Sequence, residues 1–349
     1  MAIAKHHNRE EFKLTICSLR EGGFVETAPI LASMGVACFV GPFRPTGRRI
    51  NDFVSSLRHQ KIIKRYGPFD VQHSMDFTSS PFEAVAARLR SRIFLYNQRN
   101  LNENGHRTLL KIKAACARRI ITNSFAVSDF LTDLGVDSRI IRNISLGLET
   151  EPAPSGSPTI FQDDPYLLYV GHVEPRKRQQ DAIRTLALLA PEFPNLRLLI
   201  AGHTVDREYL NELQRTANEL GLEKRVQFLG PRKDIMDLMR NASALMLCSD
   251  REAFAWVLLE AMSVDLPVVA SAVDGSCQLI QHEQNGLLVQ VGDAEGYAKQ
   301  IRHLLMDPRF AKSLSERARA DVENNYSARA MVGKIENVYR ELLSCRTSK

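Results

Sequence analysis

Short apolar runs alternate along the chain with longer segments in which apolar residues recur every three or four positions. The runs are typical of strands buried on both faces of a sheet, and the longer segments are typical of amphipathic helices. Strands that alternate with helices predict parallel sheets covered by helices on both faces. The predicted strands are 13–19, 36–40, 71–73, 92–96, 119–123, 166–170, 196–201, 226–229, 244–248 and 267–270. The predicted helices are 24–33, 51–66, 81–89, 106–118, 179–190, 207–220, 233–241 and 255–264.

The alternation is interrupted once, by the sequence EPAPSGSP at 151–158. Three prolines, a glycine and two serines in eight residues suit neither a helix nor a strand, so we predict an interdomain linker over 151–163. A length of 349 residues also favours two domains, at 1–150 and 164–325. The remainder, 326–349, has the pattern of a helix with one apolar face.

Charge is spread unevenly between the two halves. Residues 1–150 contain 22 Lys and Arg against 13 Asp and Glu, whereas the rest of the chain contains 24 against 27. The densest basic stretch, 44–65, fits an anionic membrane surface or a phosphorylated acceptor, and it equally fits a solvated helix face. We find no nucleic-acid-binding motif and expect no nucleic acid partner. The basic residues of the stretch are Arg44, Arg48, Arg49, Arg58, Lys61, Lys64 and Arg65.

The compartment is predicted from what the chain does not contain. No stretch is long and apolar enough to span a membrane, and the N-terminal segment lacks the apolar run of a secretory signal. The cysteines form no CxxC pair and no zinc-type spacing with histidine, so we expect no metal site and reduced, mostly buried thiols in a cytoplasmic protein. They are Cys17, Cys38, Cys116, Cys248, Cys277 and Cys345.

The segment between the strands at 244–248 and 267–270 is the richest in candidate chemistry. Its helix is predicted to start near residue 255, with Ser249 or Asp250 as the N-cap. The free N–H groups at a helix N-terminus favour a diphosphate. Glu252 lies in the preceding loop, where a carboxylate can accept hydrogen bonds from sugar hydroxyls, and Glu260 lies about a turn and a half into the helix. The residues alone equally allow Glu252 as a cap and Glu260 on a solvent face.

The sequence EAFAWVLLE, residues 252–260, resembles the E-x7-E element of retaining GT-B glycosyltransferases, and of glycosyltransferase family 4 in particular. The resemblance covers about 14–343 and is strongest over 166–293. It implies a GT-B fold: two Rossmann-like doubly wound domains facing a central cleft, with the C-terminal helix crossing back to the N-terminal domain. It also implies that the N-terminal domain binds the acceptor and the C-terminal domain binds a nucleotide sugar.

The same resemblance assigns roles within this element. Glu252 would hold hydroxyls of the donor sugar, backbone amides near Phe254 would face the donor, and Glu260 would bind the ribose hydroxyls. Ala253 and Ala255 flank Phe254, and both stand where the family often has glycine. A loop resembling the one that contacts the nucleotide base includes Pro231.

The sequence YVGHVEPRKRQQDAI, residues 169–183, resembles the family segment that supplies an arginine and a lysine to the diphosphate. Lys177 matches the lysine and is, with Glu252, a predicted catalytic residue. His172 stands in place of the arginine, and a histidine, mostly neutral near pH 7, cannot form a bidentate fork. Arg176 and Arg178 are the neighbouring residues able to replace the charge.

The first half resembles the family more weakly. Gly22 and Gly23 resemble the double-glycine loop near the donor phosphates, although two glycines before a helix are also typical of an ordinary tight turn. His73 lies in FDVQHSMD, which resembles the segment that ends a middle strand of the acceptor domain. Many family members have a functional histidine after the next strand, and this sequence has Asn97 and Gln98 there.

The resemblance implies transfer of a hexose from a UDP-sugar or GDP-sugar with retention of configuration, without a metal ion. The acceptor would be a glycan, a lipid-linked sugar or a small molecule in polysaccharide or glycolipid biosynthesis. With the basic stretch, this predicts a cytoplasmic protein at the inner face of the membrane. Two alternatives stay open: a nucleotide-sugar epimerase or phosphorylase, and a non-catalytic subunit that binds a nucleotide sugar or a partner enzyme.

Overall fold

The computed structural model describes residues 1–18, 22–41, 49–75, 80–90, 93–99, 107–149 and 165–347. They form two compact units, the first comprising Met1–Glu149 with Ala328–Lys349 and the second comprising Thr150–Ser327. The predicted linker at 151–163 lies outside the described residues. Within the described ranges, no helix combines the length and the apolar character needed to cross a bilayer.

Both units are built from alternating strands and helices, as the pattern predicts. The strands are β1 Thr15–Ser18, β2 Ala37–Val40, β3 Val71–Ser74, β4 Ile93–Gln98, β5 Arg119–Thr122, β6 Ile141–Asn143, β7 Tyr166–Val170, β8 Arg197–Ala201, β9 Val226–Gly230, β10 Ala244–Leu247, β11 Val268–Ser271 and β12 Leu287–Val289. The helices are α1 Ala2–His6, α2 Gly22–Ser33, α3 Arg49–Tyr66, α4 Phe82–Arg88, α5 Arg107–Cys116, α6 Phe125–Asp133, α7 Gln179–Leu189, α8 Arg207–Glu219, α9 Ile235–Asn241, α10 Trp256–Met262, α11 Asp274–Cys277, α12 Ala294–Met306, α13 Pro308–Asn325 and α14 Ala328–Thr347.

The second unit contains one six-stranded parallel sheet in the order β12-β11-β10-β7-β8-β9. If the strands are numbered from β7 as the first, the order read from β9 to β12 is 3-2-1-4-5-6. This is the strand order of a Rossmann fold. The strands β7, β8, β10 and β11 are almost entirely buried, which explains why they are continuous apolar runs in the sequence. The order reverses between β7 and β10, so the loops after these two strands lie side by side.

The first unit contains a parallel pair, β1-β2, and a four-stranded parallel sheet, β3-β4-β5-β6. The five strands predicted here are present. β6 was not predicted, because three half-buried residues are too few to show a period of two. Strand β4 continues to Gln98, two residues beyond its predicted end at 96.

The last helix, α14, packs on the sheet of the first unit. Its apolar residues Ile335, Val338 and Leu342 form one buried cluster with Leu95 of β4 and Ile121 of β5. The spacing of three and four positions places them on one face of the helix, and this is the face that the sequence pattern indicated. The C-terminal helix therefore belongs to the first unit in space, although the second unit precedes it in sequence.

Two sequence interpretations are wrong. Of the cysteines whose side chains are described, only Cys248 is fully buried, so the thiols are not mostly buried. Helix α10 begins after Ala255, which is its N-cap residue, and neither Ser249 nor Asp250 caps it. Ser249 instead hydrogen-bonds Glu252.

Candidate functional site

The loops that follow β7 and β10 meet at the point where the strand order of the second unit reverses. The peptide N–H of Asp250 donates to the carbonyl oxygen of Arg176 at 2.9 Å, which joins the two loops directly. In open α/β sheets, ligands bind outside the carboxyl ends of the strands at this reversal. The geometry therefore places a candidate ligand site here, from two segments about 75 residues apart in sequence.

The main chain of the first loop fixes Lys177. Pro175–Lys177 form a short 3-10 turn, and the hydroxyl of Tyr169, in β7, donates to the carbonyl oxygen of Lys177 at 2.6 Å. Across the loop, Gln179 Nε2 donates to the carbonyl oxygen of His172 at 2.7 Å. A buried tyrosine and a buried glutamine thus anchor the backbone, which leaves the lysine side chain to reach the second loop.

Lys177 and Glu252 form an ion pair between Nζ and Oε1. The side chains are only 12% and 11% exposed, so the pair is screened from bulk water. The hydroxyl of Ser249 donates to the same Oε1 at 2.7 Å. The two residues predicted as catalytic are therefore in direct contact, and sequence reasoning did not identify Ser249 as their partner.

The remaining residues of the E-x7-E element occupy different environments. Ala253 is exposed, Phe254 is half-buried beside Trp256 with ring centroids 6.4 Å apart, and Ala255 is buried. Glu260 is half-buried on α10 rather than on a solvent face. Burial raises the pKa of Glu260, and a hydrogen bond with the side chain of Trp256 counteracts this in part. A carboxyl group held in this way is well suited to hydrogen-bond the hydroxyls of a ligand.

The basic residues around His172 are already engaged. Arg178 donates from Nε to Oδ2 of Asp181 at 2.7 Å, and that carboxylate is fully buried. Arg176 pairs with Glu174 at 2.7 Å and is more exposed. His172 itself is exposed. Of the two arginines proposed to replace the missing charge, Arg178 therefore has a structural role, and Arg176 has the more exposed side chain.

Pro231 is exposed at the end of β9, directly after Gly230, which has a φ of 65°. This conformation favours glycine and turns the chain after the strand. In the sheet, β9 is separated from β7 by β8.

In the first unit, Gly22 and Gly23 lie in the first turn of α2, two residues before its predicted start. The expectation that they form a loop ahead of the helix is therefore wrong. Residues 19–21, which precede them, lie outside the described residues. Their proximity to a donor phosphate stays a prediction.

The predicted acceptor-side residues are in part brought together. His73 Nε2 lies 2.8 Å from Asn97 Oδ1, and His73 Nδ1 lies 2.7 Å from the hydroxyl of Tyr339 in α14. Asn97 and Gln98 lie within β4 and are buried, so placing them after the strand was wrong. Tyr339 lies in the segment 326–349, for which the sequence predicted only a helix with one apolar face, because nothing local signals the partner of its hydroxyl.

Burial favours the neutral form of His73. Burial lowers the pKa of His73 to about 4, the nearby Arg99 acts in the same direction, and the hydrogen bond to Asn97 opposes both. Asn97 Nδ2 lies 3.0 Å from Met75 Sδ, so the amide oxygen faces the ring. The neutral imidazole then donates from Nε2 to Asn97 and accepts from Tyr339 at Nδ1.

Comparison with known proteins shows what the second unit resembles in sequence. Residues 153–321 match the family described as "Glycosyl transferases group 1". Relatives include the N-acetyl-alpha-D-glucosaminyl L-malate synthase of Bacillus anthracis, 32% identical over 53% of this chain and 47% of the relative. The lipopolysaccharide core biosynthesis glycosyltransferase LpsE of Rhizobium meliloti is 27% identical over 65% of this chain and 64% of the relative. The chain spans about half the length of several of these curated relatives.

The fold has solved counterparts. The structure described as Anabaena Alr3699/HepE in complex with UDP has a TM-score of 0.76 and 21% identity, covering 94% of this chain and 92% of that one. Its similarity and the parallel sheets confirm the predicted class, an α/β protein of the GT-B type with two Rossmann-like domains. Residues 153–321 thus resemble that family in sequence, and the chain resembles this solved structure in fold.

Proposed function

We propose that this chain is a group 1 glycosyltransferase that moves a hexose from a nucleoside diphosphate sugar to a glycan or lipid-linked acceptor, with retention of configuration. The observation that carries the proposal is the Lys177–Glu252 pair at the strand-order reversal of a group 1 domain. The relative with the TM-score of 0.76 has UDP bound, and related structures of it carry UDP-glucose. These support UDP-sugars as the first donors to test.

The proposed chemistry assigns each residue a separate task. The bond between the anomeric carbon and the diphosphate oxygen breaks, while the acceptor oxygen bonds to the same face of the sugar and passes its proton to the departing diphosphate oxygen. Negative charge grows on the diphosphate, and the ammonium group of Lys177 stabilises it in a site largely screened from water. Glu252 holds the sugar hydroxyls and so orients the anomeric carbon.

We further propose that the reaction needs no resident metal ion. A lysine point charge can stabilise the leaving diphosphate in place of a divalent cation. In the described residues, no group of three or more His, Cys, Asp or Glu side chains is arranged to hold a metal. Turnover measured with excess EDTA should then equal turnover without it, and restoration of a lost activity by Mg²⁺ or Mn²⁺ would refute this part of the proposal.

The donor class is tested by thermal unfolding with UDP, GDP and ADP and their hexose conjugates. A ligand at 100 times its dissociation constant stabilises the fold by about 2.7 kcal/mol, which corresponds to a shift of about 5 °C or more. We expect one nucleotide series to raise the melting temperature, and Glu260→Ala to abolish most of that shift. Glu219→Ala, which removes an exposed carboxylate at the end of α8, is the matched control.

The outcomes separate the candidate functions. A shift with one series and turnover of its sugar conjugate supports the transferase. Binding without turnover for any acceptor supports the alternative of a non-catalytic subunit. A wild-type protein that no nucleotide or conjugate stabilises refutes the proposal.

The acceptor side is proposed to contact an anionic membrane surface through α3. Arg58, Lys61 and Arg65 are exposed and recur at spacings of three and four, which places them on one face of the helix beside exposed Val54. Arg44 and Arg48, which extend the basic stretch in sequence, lie outside the described residues. A cationic face with an apolar residue suits the head-group region of a bilayer.

Charge reversal on α3 tests this contact. Each cation near an anionic surface contributes about 1 kcal/mol, so the triple variant Arg58→Glu, Lys61→Glu, Arg65→Glu should lose at least about 100-fold in binding to phosphatidylglycerol vesicles. Vesicle flotation at low salt measures the effect. The control triple variant places the same charges on exposed residues of the second unit. It carries Arg207→Glu, Arg215→Glu and Lys224→Glu. Equal loss in the two variants would show that only net charge matters and would refute a role for α3.

A further inference from the structure

The backbone of Glu252 rests against a glycine of another loop. Gly275 lies in the single turn α11, which follows β11, and its N–H donates to the carbonyl oxygen of Glu252 at 2.9 Å. A Cβ at Gly275 would lie 2.5 Å from that oxygen and 2.9 Å from Glu252 Cβ. Gly275 is buried, so the chain has no free space into which a side chain could turn. Only a residue without a side chain allows this approach.

The contact completes the set of groups that fix Glu252. Its carboxylate is held by Lys177 and by the hydroxyl of Ser249, while its main chain is held by Gly275. The hydroxyl of Ser271, at the end of β11, donates to the carbonyl oxygen of Ser249 at 2.5 Å. This bond also holds the loop after β10, which contains Ser249 and Glu252, against the end of β11. The β11 end therefore determines where the Glu252 backbone lies, and the β7 loop determines where its carboxylate points.

We infer that Gly275 is a positioning residue for donor recognition, which acts by setting the location of Glu252. The inference rests on the proposed function, because it assumes that Glu252 binds the donor sugar. For a methyl group at Gly275 to lie at 3.4 Å, the shortest ordinary contact distance, rather than at 2.5 Å from the Glu252 carbonyl oxygen, the two must separate by 0.9 Å. Displacements near 1 Å in a catalytic site lower rates by about 100-fold. Glu252 is proposed to bind the sugar and not the nucleotide, so the effect on sugar binding exceeds any effect that reaches the nucleotide through Lys177.

The test compares two buried glycines of the second unit. A Cβ at Gly286 would meet side chains only, with Val268 Cγ2 at 2.8 Å and Ile280 Cγ2 at 3.1 Å. Gly275→Ala and Gly286→Ala both crowd the core, but only Gly275→Ala crowds Glu252. Calorimetric titration with UDP and with UDP-glucose, or with the pair selected by the thermal panel, gives the ratio of the two dissociation constants for each variant.

We expect Gly275→Ala to weaken UDP-glucose binding at least tenfold relative to UDP, and to lower kcat more than it raises KM. Gly286→Ala should lower the melting temperature and leave the ratio of dissociation constants unchanged. Equal ratios in the two variants would overturn the inference while leaving the transferase proposal intact. A wild-type protein that binds neither ligand would overturn both.

Hydrogen exchange on the wild-type protein provides a measurement that does not depend on the variant folding. If Gly275 and Glu252 act together, UDP-glucose should slow exchange in the peptide covering residues 271–278 more than UDP does. The sugar fixes Glu252, and the carbonyl oxygen of Glu252 then holds the exchanging N–H of Gly275 more firmly. Equal protection by the two ligands would overturn the inference.

Discussion

Replacing Glu252 by glutamine is expected to lower kcat by about 100-fold or more. Glutamine preserves the shape of the side chain and removes its charge. Lys177 then loses its counter-ion, and a sugar hydroxyl meets an amide in place of a carboxylate. Loss of one preorganised polar group in a site screened from water typically lowers rates by a factor of about 100 to 1000. The measurement is steady-state transfer from the donor that the thermal panel identifies.

Asp250→Asn is the matched control for this prediction. Asp250 lies two residues away in the same loop, and its side chain is exposed with Arg251 as a distant partner at 3.8 Å. An exposed ion pair of this kind contributes little to the stability of the loop, so turnover should stay within about twofold of the wild type. If Glu252→Gln retained more than a third of the wild-type kcat while binding the donor normally, Glu252 would not orient the sugar. The alternative of a non-catalytic subunit would apply only if the wild-type protein itself showed no turnover.

Acidification is expected to destabilise the first unit through His73, by about 3 kcal/mol between pH 7 and pH 4. The pKa of His73 is about 4 in the folded protein, whereas an unfolded histidine has a value near 6.5. Between these values the unfolded chain binds a proton that the folded chain excludes, so the free energy of unfolding falls as pH falls. Above pH 6.5 and below pH 4 this contribution is constant.

His73→Gln removes the titration and keeps a side chain able to hydrogen-bond Asn97 and Tyr339. Urea unfolding of the two proteins at pH 4, 5, 6 and 7, followed by a probe in the first unit, gives the difference in unfolding free energy at each pH. Carboxylates common to both proteins cancel in this difference. We expect the difference to change by about 3 kcal/mol across the series. Parallel curves would show that His73 is not excluded from solvent in the folded state.

The His73 contacts also explain how the last helix is placed. Tyr339 reaches His73, and Glu341 on the same helix pairs with Arg142 at 2.6 Å and with Arg119. Arg119 is the first residue of β5, and Arg142 lies within β6. Polar contacts therefore fix the register of α14, while its apolar face supplies the burial. A helix bound by apolar contacts alone could slide or rotate with a smaller loss of stabilising free energy.

The sequence by itself determined the class of fold and most of its strands, although the helices α12 and α13 were not among those predicted. The bounds of β7 agree residue for residue with the prediction, because Tyr166–Val170 is an unbroken apolar run that only a strand covered on both faces would bury. Helix α8 was equally clear, since its apolar residues lie on one face and its polar residues on the other. Strand β12, with three residues, was too short to show either period. The motif EAFAWVLLE identified Glu252 and Glu260 without any structure.

Only the tertiary structure decided which of these residues meet. Lys177 and Glu252 are 75 positions apart, and they touch because the sheet places β10 beside β7. Asn97 and Gln98 were placed after a strand with a predicted end at residue 96, but β4 buries both, with Asn97 hydrogen-bonded to His73. Gly275 shows no local reason to be a glycine, since its requirement comes from a carbonyl oxygen in another loop. A sequence pattern records which residues are buried, because burial repeats with the local helix or strand period. Contacts between distant loops depend on strand order, and no local period records that order.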